Sequence, residues 1–358
     1  MQIGLVGMPN SGKTTLFELL TGSKLASGSG NNGEAHLGSA IVPDNRIGLL
    51  SSLYKPRKIT YARINFKDIP GVRMDDSKNR ASRLLDEVRS ADALVQVVRA
   101  FNSEVANQVA GNPDPYSELV NYGADLILAD IDILEKRIAR IENTKKPRKE
   151  DSEQIALLEK LLHTLESEKL INSLGLTTRE KELLAGQSFL SEKPLFIVIN
   201  IDESQLRAGS YPDKKKIAEY TAQKGLPLIE VCAQAEYEIS TLAPDEQLEF
   251  MQDLGLKESG LGKLARMAYK RLSMISFFTV GDDEVKAWTL SKGAIARQAA
   301  GRIHTDIERG FIRAEVFHYD RLEEMGSASG VREAGHFRLE GKEYTVTDGD
   351  IISFRFNV

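Results

Sequence analysis

Gly7-Met8-Pro9-Asn10-Ser11-Gly12-Lys13-Thr14 fits the pattern G-x-x-x-x-G-K-[ST], and its surroundings decide the fold. Before it lies the short apolar run Gln2-Ile3-Gly4-Leu5-Val6; after it Leu16, Leu19 and Leu20 recur at helical spacing. Strand, glycine-rich loop and helix, in that order, are the context in which this pattern grips phosphate. Glycines let backbone N–H groups wrap the anion, and the helix N-terminus adds its dipole. Lys13 neutralises the β and γ oxygens and is the candidate catalytic residue, while the Thr14 hydroxyl ligates Mg²⁺. Gly7, Asn10, Ser11, Gly12, Lys13, Thr14 and Thr15 are therefore candidate nucleotide-binding residues. The loop specifies a nucleotide phosphate and little more.

Working outward, residues 59–66 alternate as a half-buried strand does, and 93–98 form a nearly continuous apolar run suited to a central parallel strand. Residues 195–199 and 228–231 are two more such runs, with helical patterns at 79–89 and 214–224 between them. The βα alternation predicts an α/β fold built on the doubly wound parallel sheet of a P-loop NTPase. It stops between Pro113 and Pro194. There Ile127, Ile131, Leu134, Ile138 and Ile141 recur at steps of four and three, and Ile155, Leu158, Leu162 and Leu165 repeat the pattern after a polar break. The simplest reading is an inserted α-helical coiled-coil hairpin of two antiparallel helices. Its break holds Lys145-Lys146-Pro147-Arg148-Lys149, either a basic tip for RNA or a solvated loop, and composition favours the loop. After a helix over 261–271, strands at 275–280 and 285–290 flank the turn Gly281-Asp282-Asp283. A helix over 295–303 and strands at 311–317, 343–346 and 351–356 follow, which together predict a small C-terminal β-grasp domain.

Asp68-Ile69-Pro70-Gly71 follows the strand at 59–66, where a switch-type NTPase places an aspartate on the Mg²⁺ shell and a glycine N–H against the γ-phosphate. The next residue, Val72, cannot orient an attacking water as glutamine does, so hydrolysis needs another source of water positioning. Asn200-Ile201-Asp202-Glu203 ends the strand at 195–199, the position of a base-reading loop in this fold. GTP-specific proteins place N-K-x-D there. Ile201 in place of the lysine and Glu203 in place of the aspartate weaken guanine recognition, because a site that does not complete the hydrogen bonds cannot reject the other base strongly. Cys232 and Ala233, after the last apolar strand, complete the base pocket through their backbone, and the Cys232 side chain reads as small and buried.

Bulk properties set limits. A chain of 358 residues predicts about two or three domains. A formal net charge of -5 exerts no bulk pull on nucleic acid or anionic membrane, so neither DNA nor a membrane is expected as a partner and any RNA-facing surface must be local. No apolar run reaches the ~20 residues needed to cross a bilayer, and a cytosolic protein is expected. The lone Cys232 and five scattered histidines argue against zinc or disulfide chemistry.

With these residues in place, the sequence resembles the YchF family, the Obg-like ATPases of the translation-factor class, over nearly its whole length. The most specific stretches are 284–289, 298–306, 310–315, 348–350 and 354–358, which read like that family's TGS domain. The resemblance implies an OBG-type G domain over 1–112 and 194–273, an inserted helical coiled-coil domain over 113–193, and a ubiquitin-like TGS domain over 274–358. In that family the N-x-x-E base loop goes with ATP preferred over GTP, and Asn200 and Glu203 occupy those positions. Relatives with the phosphate-loop asparagine, matched by Asn10, are often potassium-stimulated, which implies K⁺ beside Mg²⁺ as an accessory ion. Family members associate with the ribosome, so the ribosome or its RNA is the implied partner.

Two departures stand out. The family's first switch carries a threonine that completes the Mg²⁺ contacts; Asn32 falls at its position, and its amide oxygen is the expected substitute ligand. After Gly71 the family has a glycine-rich second switch, where this chain has Val72-Arg73-Met74-Asp75. Both changes fall on the parts that sense and cleave the γ-phosphate, so the sequence supports nucleotide binding more directly than turnover. Two functions follow: a ribosome-associated switch that hydrolyses ATP slowly, or a nucleotide-gated ribosome or RNA adaptor with little turnover that binds through Arg297, Arg302, Arg309 and Arg313.

Overall fold

A computed structural model describes residues 1–24, 35–70, 85–144 and 150–357. They form two compact units, Met1–Gly38 with Asn65–Leu261, and Ser39–Ile64 with Gly262–Val358. Residues 39–64 thus group with the C-terminal residues, where the sequence boundaries placed them in the nucleotide domain.

The first unit is built on a six-stranded sheet in the order β2 (His36–Ile41), β4 (Arg63–Asp68), β1 (Gln2–Val6), β5 (Ala93–Arg99), β6 (Leu195–Asn200), β7 (Leu228–Val231). From β4 to β7 every neighbouring pair is parallel. Strands β5 and β6 are buried at every residue, which is how a parallel strand covered on both faces reads in sequence: a continuous apolar run rather than an alternation. Because the strands are parallel, β1, β4, β6 and β7 all end on one edge, and the loops carrying the candidate residues meet there.

Between β5 and β6 runs the helical insertion. The helix Pro115–Glu142 starts with proline in its first turn behind Asp114, whose carboxylate accepts the Ser117 N–H at 3.1 Å. It packs along the helix Asp151–Glu166 through Leu134, Ile141, Leu158 and Leu165, with Ile127, Ile131, Ile138, Ile155 and Leu162 partly buried around them. These are the positions the heptad-like spacing selected. Asp130, fully buried, ties the long helix to the chain entering β6 by accepting from Leu190 N (2.9 Å), Ser191 N (2.8 Å) and Ser191 Oγ (2.6 Å). The basic stretch 145–149 lies outside the described residues.

The second unit is a mixed sheet in the order β11 (Arg338–Glu340), β10 (Phe311–His318), β12 (Asp350–Phe356), β8 (Met274–Thr279), β9 (Glu284–Ser291), β3 (Lys58–Thr60). The helix Ala296–Ile303 packs Ala296 and Ala299 against Ile275, Phe277, Leu290, Val316 and Ile352. The β8–β9 hairpin, this helix and the parallel β8–β12 pair give the β-grasp arrangement.

Two expectations need correction. Residues 59–66 are not one strand: Lys58–Thr60 joins β9 in the second sheet and Arg63–Asp68 joins β1 in the first. What captures β3 is polar and distant in sequence, since Glu284 takes the Thr60 hydroxyl at 2.5 Å and the Lys58 ammonium at 3.3 Å. Residues 343–346 make only an isolated bridge, Ile295 to Thr345, held by Ala296 N to Tyr344 O (2.8 Å) and Val346 N to Ala294 O (3.0 Å), while the Tyr344 hydroxyl donates to Asp350 at 2.8 Å. Of the helix expected at 79–89, residues 85–90 are helical and 79–84 lie outside the described residues. No helix among the described residues is long and apolar enough to cross a membrane.

Leu158 is fully buried between the two long helices. Leu158→Ala should cost about 2–5 kcal/mol of stability, read as a lower urea midpoint at unchanged m-value.

Candidate nucleotide-binding site

The phosphate loop begins where β1 stops, and close approach dictates its glycines. Gly7 has φ +142°, and a Cβ there would lie 2.3 Å from the Val97 carbonyl oxygen; Gly12 has φ +90°, with a Cβ 2.2 Å from the Asn200 side-chain nitrogen. Asn10 adopts the left-handed region at φ 62°, which asparagine tolerates better than most residues. The first intrahelical bond is Leu16 N to Gly12 O at 3.0 Å, so the N–H groups of Lys13, Thr14 and Thr15 precede it and point out of the helix end toward an anion. Ser11 and Lys13 are buried, whereas Asn10, Thr14 and Thr15 are exposed.

Lys13 donates its ammonium to Met8 O at 3.1 Å. Burial pulls its pKa down, and the Asp68 and Glu118 charges act against that shift. Asp68 ends β4, opposite Leu5 of β1, and accepts the Thr14 hydroxyl at 2.7 Å. It is 5% exposed and its other oxygen, Oδ1, has no hydrogen-bond partner among the described residues. A hydroxyl and a carboxylate with a spare oxygen are hard donors that suit Mg²⁺. No cluster of three or more His, Cys, Asp or Glu able to hold a metal occurs among the described residues. Asn32 and Gly71, the remaining candidates near the γ-phosphate, lie outside the described residues.

At the end of β6 the buried Asn200 gives its amide to the protein. Its Nδ2 donates to Ser11 O at 3.0 Å and its Oδ1 accepts the Ala233 N–H at 3.3 Å. Ile201 is 3% exposed and donates its N–H to Val231 O. Glu203 opens the helix Glu203–Ala208 behind Asp202, which caps it in a reciprocal pair with Gln205. The Glu203 carboxylate accepts two bonds from Arg207, at 3.0 and 2.9 Å, with its side chain 43% exposed. The Cys232 thiol is buried, and burial pushes its pKa up, with Glu203 and Asp202 close enough to add to the shift. The structure therefore joins Ser11, Asn200 and Ala233 in one bonded group, with Gly12 packed against the Asn200 amide, and sets Glu203 near Cys232.

Two charged groups were missed. Glu118, in the first turn of the helix Pro115–Glu142, accepts the Arg99 N–H at 3.3 Å and also takes the Met8 N–H of the phosphate loop. Burial raises its pKa to about 7 against the pull of those bonds and of Arg99 and Lys13. Arg99 ends β5, 5% exposed, with its guanidinium donating to Gly111 O. The Asp114-Pro115 helix start puts Glu118 one turn in, but nothing local reveals that it faces Met8.

A parallel sheet with this loop after its first strand, Thr14 on Asp68, and a base-side loop pinned by Asn200 defines a P-loop NTPase of the GTPase type. Residues 2–160 match the family model MMR_HSR1, described as a 50S ribosome-binding GTPase, and residues 274–357 match YchF-GTPase_C, described as a protein of unknown function (DUF933). The chain is similar to the Ribosome-binding ATPase YchF of Bacillus subtilis, 39% identical over 361 residues and 99% of each chain. To its namesake from Haemophilus influenzae it is 39% identical over 360 residues, again 99% of each. The solved Schizosaccharomyces pombe YchF GTPase superposes with a TM-score of 0.86 at 30% identity, covering 99% of this chain and 97% of that one. The chain belongs to the YchF family.

Glu118 gives the site a pH signature. Its folded-state pKa is raised from 4.5 to about 7, so the native state keeps a proton that the unfolded state has shed, and stability falls as pH rises through that window. Glu118→Gln removes the titration. Its Tm relative to the parent should rise by a few degrees between about pH 5 and about pH 8 in calorimetry, and a pH-independent difference would contradict the assignment.

Proposed function

We propose that this chain binds Mg²⁺-ATP in preference to GTP and hydrolyses it slowly, as a conformational switch on the ribosome in the cytoplasm. The observation that carries the reading is the buried Lys13 ammonium beside the Thr14–Asp68 pair, at a helix end whose N–H groups point outward. Burial leaves Lys13 short of countercharge, and a β,γ-phosphate supplies it. Thr14 and Asp68 are the residues that would hold Mg²⁺, which when bound offsets charge on the phosphate oxygens. Lys13 stabilises the charge on the phosphoryl group as it leaves. Asn10 is the candidate for an accessory K⁺, and Asn32 for a further Mg²⁺ ligand.

Preference for ATP rests on Glu203. Guanine offers an N–H pair that an aspartate fork accepts, and a longer carboxylate already held by Arg207 accepts it poorly. Adenine lacks that donor pair, so it loses nothing at the same loop. Ile201, Cys232 and Ala233 supply the rest of the pocket, and Asn200 holds it to the phosphate loop. The B. subtilis and H. influenzae relatives are named ribosome-binding ATPases, which supports the ribosome as partner here. Domain roles follow the same reading: 113–193 is the inserted helical domain and 274–358 the TGS domain.

Calorimetric titration of the full chain should give tighter binding of ATP than of GTP, and the reverse order would sink the base assignment. Phosphate release should rise with ribosomes present and fall about 100-fold in Lys13→Ala. Binding with no turnover above Lys13→Ala would point instead to an adaptor. In that case Arg302, Arg309 and Arg313, exposed on the second unit, and Arg297, 3.8 Å from Glu308, become the contact candidates.

A further inference from the structure

Charge is not spread evenly along the chain. The whole sequence holds 47 Lys and Arg against 52 Asp and Glu, yet in the second unit, Ser39–Ile64 with Gly262–Val358, the cations outnumber the acids. Within that unit the strand register sets two of them side by side. Ala314 and Val316 of β10 and Ile352 and Phe354 of β12 turn to the helix Ala296–Ile303, so alternation puts Arg313, Glu315, Ser353 and Arg355 on the opposite face of the sheet. Arg313 and Arg355 stand directly opposite each other in the antiparallel pair, as do Glu315 and Ser353. Farther along this face Phe317 and Ile351 are buried, whereas Arg313, Ser353 and Arg355 are exposed, as is Leu339 of β11 opposite Glu315. This corner of the sheet is open to solvent. Arg297 and Arg302, carried by the helix, belong to the other side.

Like charges placed directly opposite weaken a strand pair. Their Cα atoms lie about 4.5–5.5 Å apart, so two guanidiniums rising from them repel unless an anion lies between. Glu315 supplies one carboxylate and pairs with Arg355. Arg313 reaches instead over Gly341, its Nη1 3.7 Å from where a Cβ there would stand, and the exposed Lys342 follows. Cations therefore succeed one another across β12, β10 and the residues after β11. A guanidinium presents a planar fork of donors that matches phosphate oxygens. A row of them on an open face, without walls, holds a lone anion poorly and a chain of anions well, because each added phosphate contact releases a further counterion.

We infer that the exposed face of β10 and β12 is a contact surface for RNA, on which Arg313 and Arg355 take backbone phosphates and Glu315 limits the grip by holding Arg355. The inference rests on the proposed ribosomal partner and names where this chain meets its RNA. Phosphate contacts carry no base information, so binding here is independent of sequence.

The test uses the folded full chain and two fluorescein-labelled RNA dodecamers, one of uridine alone and one of mixed sequence, followed by fluorescence anisotropy. The double variant Arg313→Gln, Arg355→Gln should weaken binding of both oligomers about tenfold at low salt and reduce the slope of log K against log salt by about 0.7 for each arginine. Arg321→Gln removes the same charge from an ion pair with Glu324 elsewhere in the unit and should leave both unchanged. Glu315→Gln, which frees Arg355, should tighten binding about threefold. Circular dichroism checks that each variant folds, and should the double variant not fold, Arg313→Gln and Glu315→Gln carry the test. An equal loss in Arg321→Gln, weaker binding in Glu315→Gln, or a strong preference between the two oligomers would each overturn the surface. Cosedimentation with ribosomes is measured in parallel. Undiminished cosedimentation of the double variant together with unchanged oligomer binding would overturn the surface and leave the ribosomal partner standing. A parent chain that binds the oligomers through these arginines but does not cosediment would keep the RNA surface and sink the ribosomal reading.

Discussion

The site depends on one side-chain amide. Asn200, buried at the end of β6, holds the phosphate loop by Ser11 O and the loop after β7 by the Ala233 N–H. A carboxamide is the neutral group that can donate to one loop and accept from the other at once; aspartate offers no donor and leucine neither. Its position also explains Gly12, since any side chain there would occupy the space of the amide nitrogen. With both ends of the amide engaged inside the protein, Asn200 has neither its donor nor its acceptor toward Ser11 and Ala233 left to spare, and the carboxylates of this loop, Asp202 and Glu203, lie beyond it. Arg207 restrains the Glu203 carboxylate in turn. The loop after β1 and the loops after β6 and β7 are therefore not independent parts.

Electrostatics at the site are local and bear no relation to the chain's net charge of -5. Lys13, Asp68, Arg99 and Glu118 lie close together with little exposure to water, and each shifts or opposes the ionisation of a neighbour. For Lys13 the balance goes to burial, which lowers its pKa despite two nearby carboxylates. For Glu118 burial also wins, against two backbone donors and two cations. Desolvation prevails in both because a dry site removes hydration from each ion, while the compensating charges are shared among several partners.

Much of this was legible in the chain itself. The strand, loop and helix around Gly7–Thr14, the apolar runs of β5, β6 and β7, and the spacing of Leu134, Ile141, Leu158 and Leu165 are local patterns, and local patterns survive folding. The failures share one cause. Residues 58–60 leave their neighbours for Glu284, some two hundred positions on, and residues 343–346 find only a short backbone bridge to 294–296, some fifty positions back. Glu118 escaped for the same reason: a lone glutamate in a helix reads as a solvated face until the fold lays it against Met8. The charged and polar partnerships that redirect these segments are long-range, and hydrophobic periodicity carries no trace of them.

The Met8 peptide shows why the loop needs lysine rather than another cation. An ammonium has three donors on a rotatable stem. Lys13 spends one on Met8 O, within its own loop, and under the proposed reading the other two would serve phosphate oxygens without breaking that bond. Nucleotide binding thus need not compete with the contact that positions the side chain. A guanidinium is planar and wide, with its donors fixed in a fork, and could not satisfy Met8 O and an anion from the same confined point. Burial sharpens the difference, because under the same reading a phosphate would relieve the desolvation that lowers the Lys13 pKa.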